Sequence, residues 1–578
     1  MAARIARTLL SLTAIVAVAA HATDAAACGC FARPNAATPV VQAGERILFA
    51  HEGDEVIAYI QIKYQGAADQ FGWIVPLPSI PTLEIGTDEL FDVLDNNTVP
   101  QYLLTSTRQL CDGTTATMTG SNDGCGGPFA DSSNTGYPAL DLGARPSDMG
   151  LAGGIVVVQA SIGPYDYAVL KADDQAELTK WLDDNKYFVP TGAGDALAPY
   201  THPGAYFLAL KLRGGQSSGD IAPIVLRYKS DLPMIPITLT SVGAIPNMGI
   251  LVWVLGSARA IPRNYYSVVL DDLPVWFSNF RDYNQQLIAA VKEAPGKHGF
   301  ITQYAGSQSV VDGRLDYQGR FGSLADLKLQ TTPSSYLRYL REHGYNFDGT
   351  LVSLLSAYIP EPQVLIDRGV SLGQFYAQYD FYAQQLPGDP DGGAAATFDT
   401  TAITADVEAR IVTPTRNAAA LIKRHSYLTR LYTAMSPVDM TIDPVFSSNR
   451  DLPEVPRLHT ATLTTPCKGD AWLATDGGFE AQYISGLPPQ STPLPASLRV
   501  DLVRDAGDPE LVQDNSEAIR SALGPVSHGT PGKVQNAGEN DGCGCTVGAV
   551  RVRSNLALLF LLSVGVLGVR ALRRRRRG

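Results

Sequence analysis

Histidine and cysteine are scarce in this chain: eight and seven among 578 residues. The histidines, at 21, 51, 202, 298, 343, 425, 459 and 528, form neither H-x-x-x-H nor H-E-x-x-H. A metal-hydrolase site would therefore have to assemble from distant segments. No phosphate-cradling G-x-x-x-x-G-K-[ST] occurs, and no G-x-G-x-x-G follows a strand, so no cofactor is expected. Basic charge is equally thin. Setting aside Arg4, Arg7, Asp24 and the eight arginines after Cys545 leaves 35 basic against 56 acidic side chains, about -21. Such a body repels phosphate backbones, so nucleic acid is excluded as a partner. At 45% hydrophobic and 18% charged residues the chain is not a disordered polyelectrolyte either. Its length calls for more than one core.

What is present points first to export. MAARIAR carries two positive charges, TLLSLTAIVAVAA is a short apolar run, and Ala25-Ala26-Ala27 offers a cleavage site, so residues 1–27 read as a signal peptide. In an oxidising compartment cysteines pair. Cys111 and Cys125 flank a polar, Gly-rich stretch, and a bridge closing that loop would remove roughly 3 kcal/mol of unfolded-chain entropy. A second, long-range bridge is expected between Cys30 and Cys467.

The end of the chain completes the address. Ser554–Leu572 is nineteen residues with Arg570 as its one charge, long enough as a helix for roughly 28 Å against a hydrocarbon layer of about 30 Å. Arg573, Arg574, Arg575, Arg576 and Arg577 follow and mark the cytoplasmic side. Residues 546–578 thus read as a transmembrane tail, and 525–545 as a flexible stalk ending in Gly542-Cys543-Gly544-Cys545. The order GCGC, spacer, apolar helix and Arg cluster resembles the myxobacterial C-terminal sorting tail. That resemblance implies an inner-membrane intermediate, removal of the helix by a sorting protease, and attachment to the cell envelope or outer surface through Cys543 or Cys545.

Between these ends the fold class reads as α+β. Residues 28–299 form a β-rich domain around an extensive, largely antiparallel sheet, and residues 300–524 a helix-rich region. ERILFAHEGDEVIAYIQIKYQG gives two strands about a hairpin, and MIPITLTSV and GILVWVLGSARAIP give two more. Helices are expected over GTDELFDVLDNNT and over ADDQAELTKWLDDNKYFVP, the latter capped by Asp174. TPTRNAAALIKRHSYLTRLYTAMSP reads as one helix with Leu421, Leu428, Leu431, Tyr432 and Met435 on its apolar face. Arg416, Lys423 and Arg430 then recur every seven residues as a basic stripe, either a docking face or solvated charge. RILFAHEGDEVIAYIQIKYQGAADQFGWIVPLPSIP, the GPYDYAVL…WLDDNKYFVP block and YLTRLYTAMSPVDMTIDPVF resemble the exported bacterial proteins grouped as domain of unknown function 2330, over most of residues 28–460. The resemblance implies export and lends no activity and no catalytic residues.

No catalytic or metal-ligating set emerges. Gly215-Gln216-Ser217-Ser218-Gly219 matches G-x-S-x-G, but a strand rather than a helix should follow it, so it reads as a hairpin loop. Asp389 and Asp391 lack the spacing of a calcium loop. The sequence therefore describes an exported, envelope-anchored interaction or structural ectodomain. Its expected partners are the membrane, through the tail, and an envelope protein or polysaccharide. The alternative is an exported hydrolase whose site is built from dispersed residues.

Overall fold

The computed structural model describes residues 41–65, 72–112, 114–122, 154–171, 173–187, 193–213, 221–278, 282–347, 349–384, 398–483 and 494–529. Its centre is a ten-stranded sheet. In spatial order the strands are Glu510–Asp514, Ser497–Leu502, Tyr266–Leu270, Gly299–Ser307, Tyr427–Met435, Ala244–Gly256, β1 (Val41–Glu52), β2 (Glu55–Gln65), Ile224–Lys229 and Thr82–Ile85. All neighbours are antiparallel except Tyr266–Leu270 with Gly299–Ser307, and β1 with Ala244–Gly256, which are parallel. The α+β class with a large, mainly antiparallel sheet is thus the observed one. The sheet draws strands from both the 28–299 and the 300–524 spans. The described residues belong to one compact unit.

β1 sets the logic of the core. Successive side chains of a strand face opposite ways. Glu45, Ile47 and Phe49 therefore point to one face of the sheet and Arg46, Leu48 and Ala50 to the other, all of them buried. The face carrying Ile47 and Phe49 packs on a second sheet of four antiparallel strands, ordered β3 (Gly72–Leu77), Tyr206–Leu212, Tyr165–Lys171 and Val156–Ile162. Trp73, Val75 and Leu77 of β3 share one apolar cluster with Ile47, Phe49, Ala58 and Leu226. The far side of the small sheet is covered by the helix Gln175–Asp184 through Leu178, Trp181 and Leu182. Asp174 caps that helix as expected, accepting from Glu177 N at 2.9 Å.

The opposite face of the large sheet meets helices. α1 (Asp88–Thr98) lays Leu90, Phe91 and Leu94 against Leu48 and Trp253, and the helix Tyr283–Glu293 adds Leu287 and Val291. Between the strands Gly299–Ser307 and Tyr427–Met435 the chain builds a run of short helices with a core of its own, including Tyr336, Leu340, Leu354 and Tyr376.

Two local expectations fail there for one reason. The stretch 413–437 is not a single helix: the helix Thr413–Arg424 ends at His425, and Tyr427–Met435 is a central strand. A strand buried on both faces reads as a continuous apolar run, and Leu428, Leu431, Tyr432 and Met435 also fit a helical stripe. The basic stripe dissolves with it. Arg416 lies 3.6 Å from Asp316, Lys423 is exposed, and Arg430 is 0% exposed inside the molecule. Similarly, MIPITLTSV is not a strand but a turn of helix at Ile237–Thr240, because Pro233 and Pro236 lack the N–H groups a ladder needs.

A third sheet, ordered Glu480–Tyr483, Ala471–Thr475, Leu458–Thr465, Gln101–Gln109 and Thr115–Asn122, carries the disulfide. Cys111 is joined to Cys467, 356 residues away, with Cα atoms 4.8 Å apart. This replaces both expected bridges, Cys111–Cys125 and Cys30–Cys467. The cause is strand register. Leu458–Thr465 runs parallel to Gln101–Gln109, with Thr465 opposite Arg108, so both strands leave the sheet together and deliver their cysteines to one place. The chain after Cys111 instead turns into a hairpin whose return strand ends with Asn122 opposite Tyr102, roughly 24 Å from the turn. Cys30 and Cys125 lie outside the described residues, as do the signal peptide, residues 530–545 of the stalk with Cys543 and Cys545, the apolar tail and Arg573 to Arg577. The first residues of the expected stalk, 525–529, instead lie against the third sheet, where Ser527 N donates to Gln482 Oε1 at 2.9 Å and His528 lies 2.8 Å from Glu480 Oε2. No helix among the described residues is long and apolar enough to cross a membrane.

Candidate functional site

Among the described residues, three groups of internal polar side chains differ in how completely the protein satisfies them. The first lies between the large sheet and α1. Arg430 Nη2 lies 2.7 Å from Asp95 Oδ1, an ion pair off the direction of a hydrogen bond, while Arg46 Nη2 donates to Asp95 Oδ2 at 3.2 Å. Arg430 also donates to Gln303 Oε1 at 2.8 Å and to Thr98 Oγ1 at 3.1 Å. Gln303 passes the chain on to the Tyr283 hydroxyl at 2.8 Å. Burial depresses the Arg430 guanidinium, and the Asp95 carboxylate opposes that by charge and contact. Two arginines clamped on one carboxylate hold α1 to the sheet.

The second group borders a cavity of about 280 Å³ between the large and third sheets. Asp272, just past the strand Tyr266–Leu270, accepts from the Tyr102 hydroxyl at 2.8 Å and lies 2.7 Å from His459 Nδ1. Parallel register sets His459 beside Tyr102, and their rings stack at 4.8 Å. Asp476 completes the cluster: one ligand atom from each of Asp272, His459 and Asp476 lies within 4.8 Å of the others. Burial works against a charged His459, but the hydrogen bond and charge of Asp272, with Asp476 behind, raise its pKa above the ordinary imidazole value. Such a set could orient a general base or take part in holding a divalent cation.

The third is a recess of about 260 Å³ between the two sheets of the sandwich. β1 and β2 supply its floor with Phe49 and Ala58, β3 its roof with Trp73 and Val75, and the turn at Ile237–Thr240 closes one side with Leu239. Pro78 and His202, both exposed, stand at its rim. Glu45 is the one carboxylate among the described residues of its wall. Its side chain is 5% exposed, its Oε2 has no hydrogen-bond partner, and burial pushes its pKa up to about 7.

The histidines stay dispersed. His51 faces Ser230 O at 3.2 Å, His298 faces Thr441 Oγ1 at 3.1 Å, His343 stacks on Tyr339, and His425 and His528 reach Glu52 and Glu480. Ser217, Ser218, Asp389 and Asp391 lie outside the described residues. The strands flanking the G-x-S-x-G stretch, Tyr206–Leu212 and Ile224–Lys229, belong to different sheets, so they do not form the expected hairpin. Sequence reasoning missed Glu45, Asp272, His459 and Asp476 as sites. For Glu45 a signal exists, an acid within a strand that carries apolar residues on both faces. For the others, Asp272 stands some two hundred positions before His459 and Asp476, and those two, on or beside adjacent strands, match no ligand spacing.

The profile of a family described as an uncharacterized protein conserved in bacteria (DUF2330) matches residues 22–361. The chain belongs to this family. The match takes in Glu45, Trp73, Asp95 and Asp272, whereas Arg430, His459 and Cys467 lie beyond it. No curated protein and no solved structure matches the chain.

Proposed function

We propose that this chain is an exported protein held at the cell envelope and that its body is a binding ectodomain. The observation that carries the binding reading is the apolar recess between the two sheets. Small-molecule sites are concave, mostly apolar and furnished with few polar groups. The Cys111–Cys467 disulfide supports export, since such bridges persist outside the reducing cytoplasm. The signal-like residues 1–27 and the tail 546–578 supply the route: translocation, retention by the apolar helix, cleavage by a sorting protease and attachment through Cys543 or Cys545. At the surface an envelope protein or polysaccharide is the expected macromolecular neighbour.

Two experiments test this reading. Mass spectrometry of the mature termini should find a start near Cys28 and an end near Cys543 or Cys545; an intact arginine cluster in the inner membrane contradicts the sorting step. Calorimetry with phenylbutyl compounds should show heat of binding that Ala58→Leu, which fills the recess, removes. A second reading, an exported hydrolase, is favoured by the His459–Asp272 pair beside its own cavity. On that reading the purified protein hydrolyses p-nitrophenyl acetate and His459→Ala abolishes the activity.

A further inference from the structure

Among the described polar atoms lining the sandwich recess, Glu45 Oε2 alone is fully buried without a hydrogen-bond partner. The Tyr200 hydroxyl donates to Asp443 Oδ2 at 2.6 Å, Thr240 Oγ1 to Pro236 O at 3.2 Å, and Ser230 Oγ to Leu232 O at 3.0 Å. Glu45 Oε2 accepts nothing. Across its own sheet Glu45 stands between Ile62 and Ile250, and β3 across the gap presents Trp73 and Val75. Among the described residues no lysine or arginine lines the recess; its other ionisable side chains are His202 at the rim, Tyr200 and Tyr228. A carboxyl in such a place must either keep its proton or meet a cation that comes from outside.

We propose that the recess binds a hydrophobic amine, with the apolar body between the two sheets and the ammonium against the Glu45 carboxylate. This rests on the reading of the recess as a binding site. An ammonium brings three donors and a full opposite charge to an acceptor that has neither partner nor counter-ion. A neutral hydroxyl brings one donor and no charge, and a carboxylate is repelled. The size also decides. A cavity of about 150 Å³ holds a benzene ring, so about 260 Å³ admits one ring with a short alkyl chain. Phe49, Trp73 and Tyr228 provide aromatic walls for that ring.

The test is titration calorimetry of the full chain with three matched probes: 4-phenylbutylamine, 4-phenylbutanol and 4-phenylbutanoate. At mildly alkaline pH the amine should bind at least about tenfold tighter than the alcohol, which is the scale of a single charge-assisted contact. The carboxylate should bind more weakly than the alcohol. Glu45→Gln should bring the amine down to the affinity of the alcohol, and Ala58→Leu should remove all three. Lowering the pH through the Glu45 titration should weaken the amine by up to about tenfold per pH unit and leave the alcohol flat. Equal binding of amine and alcohol, or an amine preference that survives Glu45→Gln, overturns the proposal while leaving the recess a binding site. Absence of any heat sensitive to Ala58→Leu overturns the binding reading as well.

Discussion

Glu45 and Arg46 are neighbours in β1 and both are buried, yet they live in opposite circumstances. Arg46 faces α1, where Asp95 and Arg430 meet it in a polar network that extends through Gln303 to Tyr283. Glu45 faces the second sheet and finds apolar walls. The contrast teaches what a buried charge is for. On the helical face, charge is matched by charge inside the protein, and removing one partner harms only the fold. On the sandwich face the match is missing, which costs stability and leaves room for a ligand to supply it.

The contrast can be broken from its larger side. Asp95→Ala takes from two buried guanidinium groups the carboxylate they share, leaving Arg46 with Asp92 at 3.7 Å and Arg430 with neutral partners, and should cost about 3–5 kcal/mol in urea unfolding; a loss below about 1 kcal/mol would show the network to be loose. Opening the disulfide tests a different constraint on the same body. Cys467→Ser frees a closure of 356 residues and should cost about 2–5 kcal/mol, the range typical of removing a native bridge. Cys111→Ser should cost the same, and the double variant no more than either.

Glu45 gives the next effect, with a sign that distinguishes it from an ordinary paired carboxylate. Its pKa rises on folding from 4.5 to about 7, so the folded state holds the proton more tightly than the unfolded chain. Its contribution is least unfavourable below pH 4.5, worsens as pH rises to about 7, and is constant above. The change is on the order of 3 kcal/mol, and Glu45→Gln should remove it. Asp271, also raised by burial to about 7, keeps a residual slope of the same sign in that variant. The smallest effect belongs to the surface. Arg424 pairs with Glu52 at 2.9 Å with both side chains partly in water, and Arg424→Ala should change stability by less than about 1 kcal/mol, and less still in high salt.

These residues also show what a sequence can disclose. Alternation in β1 and β2 announces a strand pair, and Asp174 announces its helix, because each signal is local. Arg430 was hidden because a strand buried on both faces also satisfies a helical stripe, which turned an interior arginine into an apparent surface charge. Cys111 and Cys467 were hidden because parallel register, not loop length, brings them together. Glu45 was legible as an acid in a greasy strand, but not as an unpartnered one, since only the second sheet decides what faces it. Asp272, His459 and Asp476 match no ligand spacing and meet through three separate strand ends.

The most direct test is infrared difference spectroscopy of the wild-type protein against Glu45→Gln, followed from mildly acidic to mildly alkaline pH. A carboxylic C=O band present in the wild type, absent from the variant and lost near pH 7 is the expected result. If the two proteins give the same spectrum in that range, or the band vanishes near pH 4.5, Glu45 is already compensated inside the protein and the two faces of β1 do not differ as described.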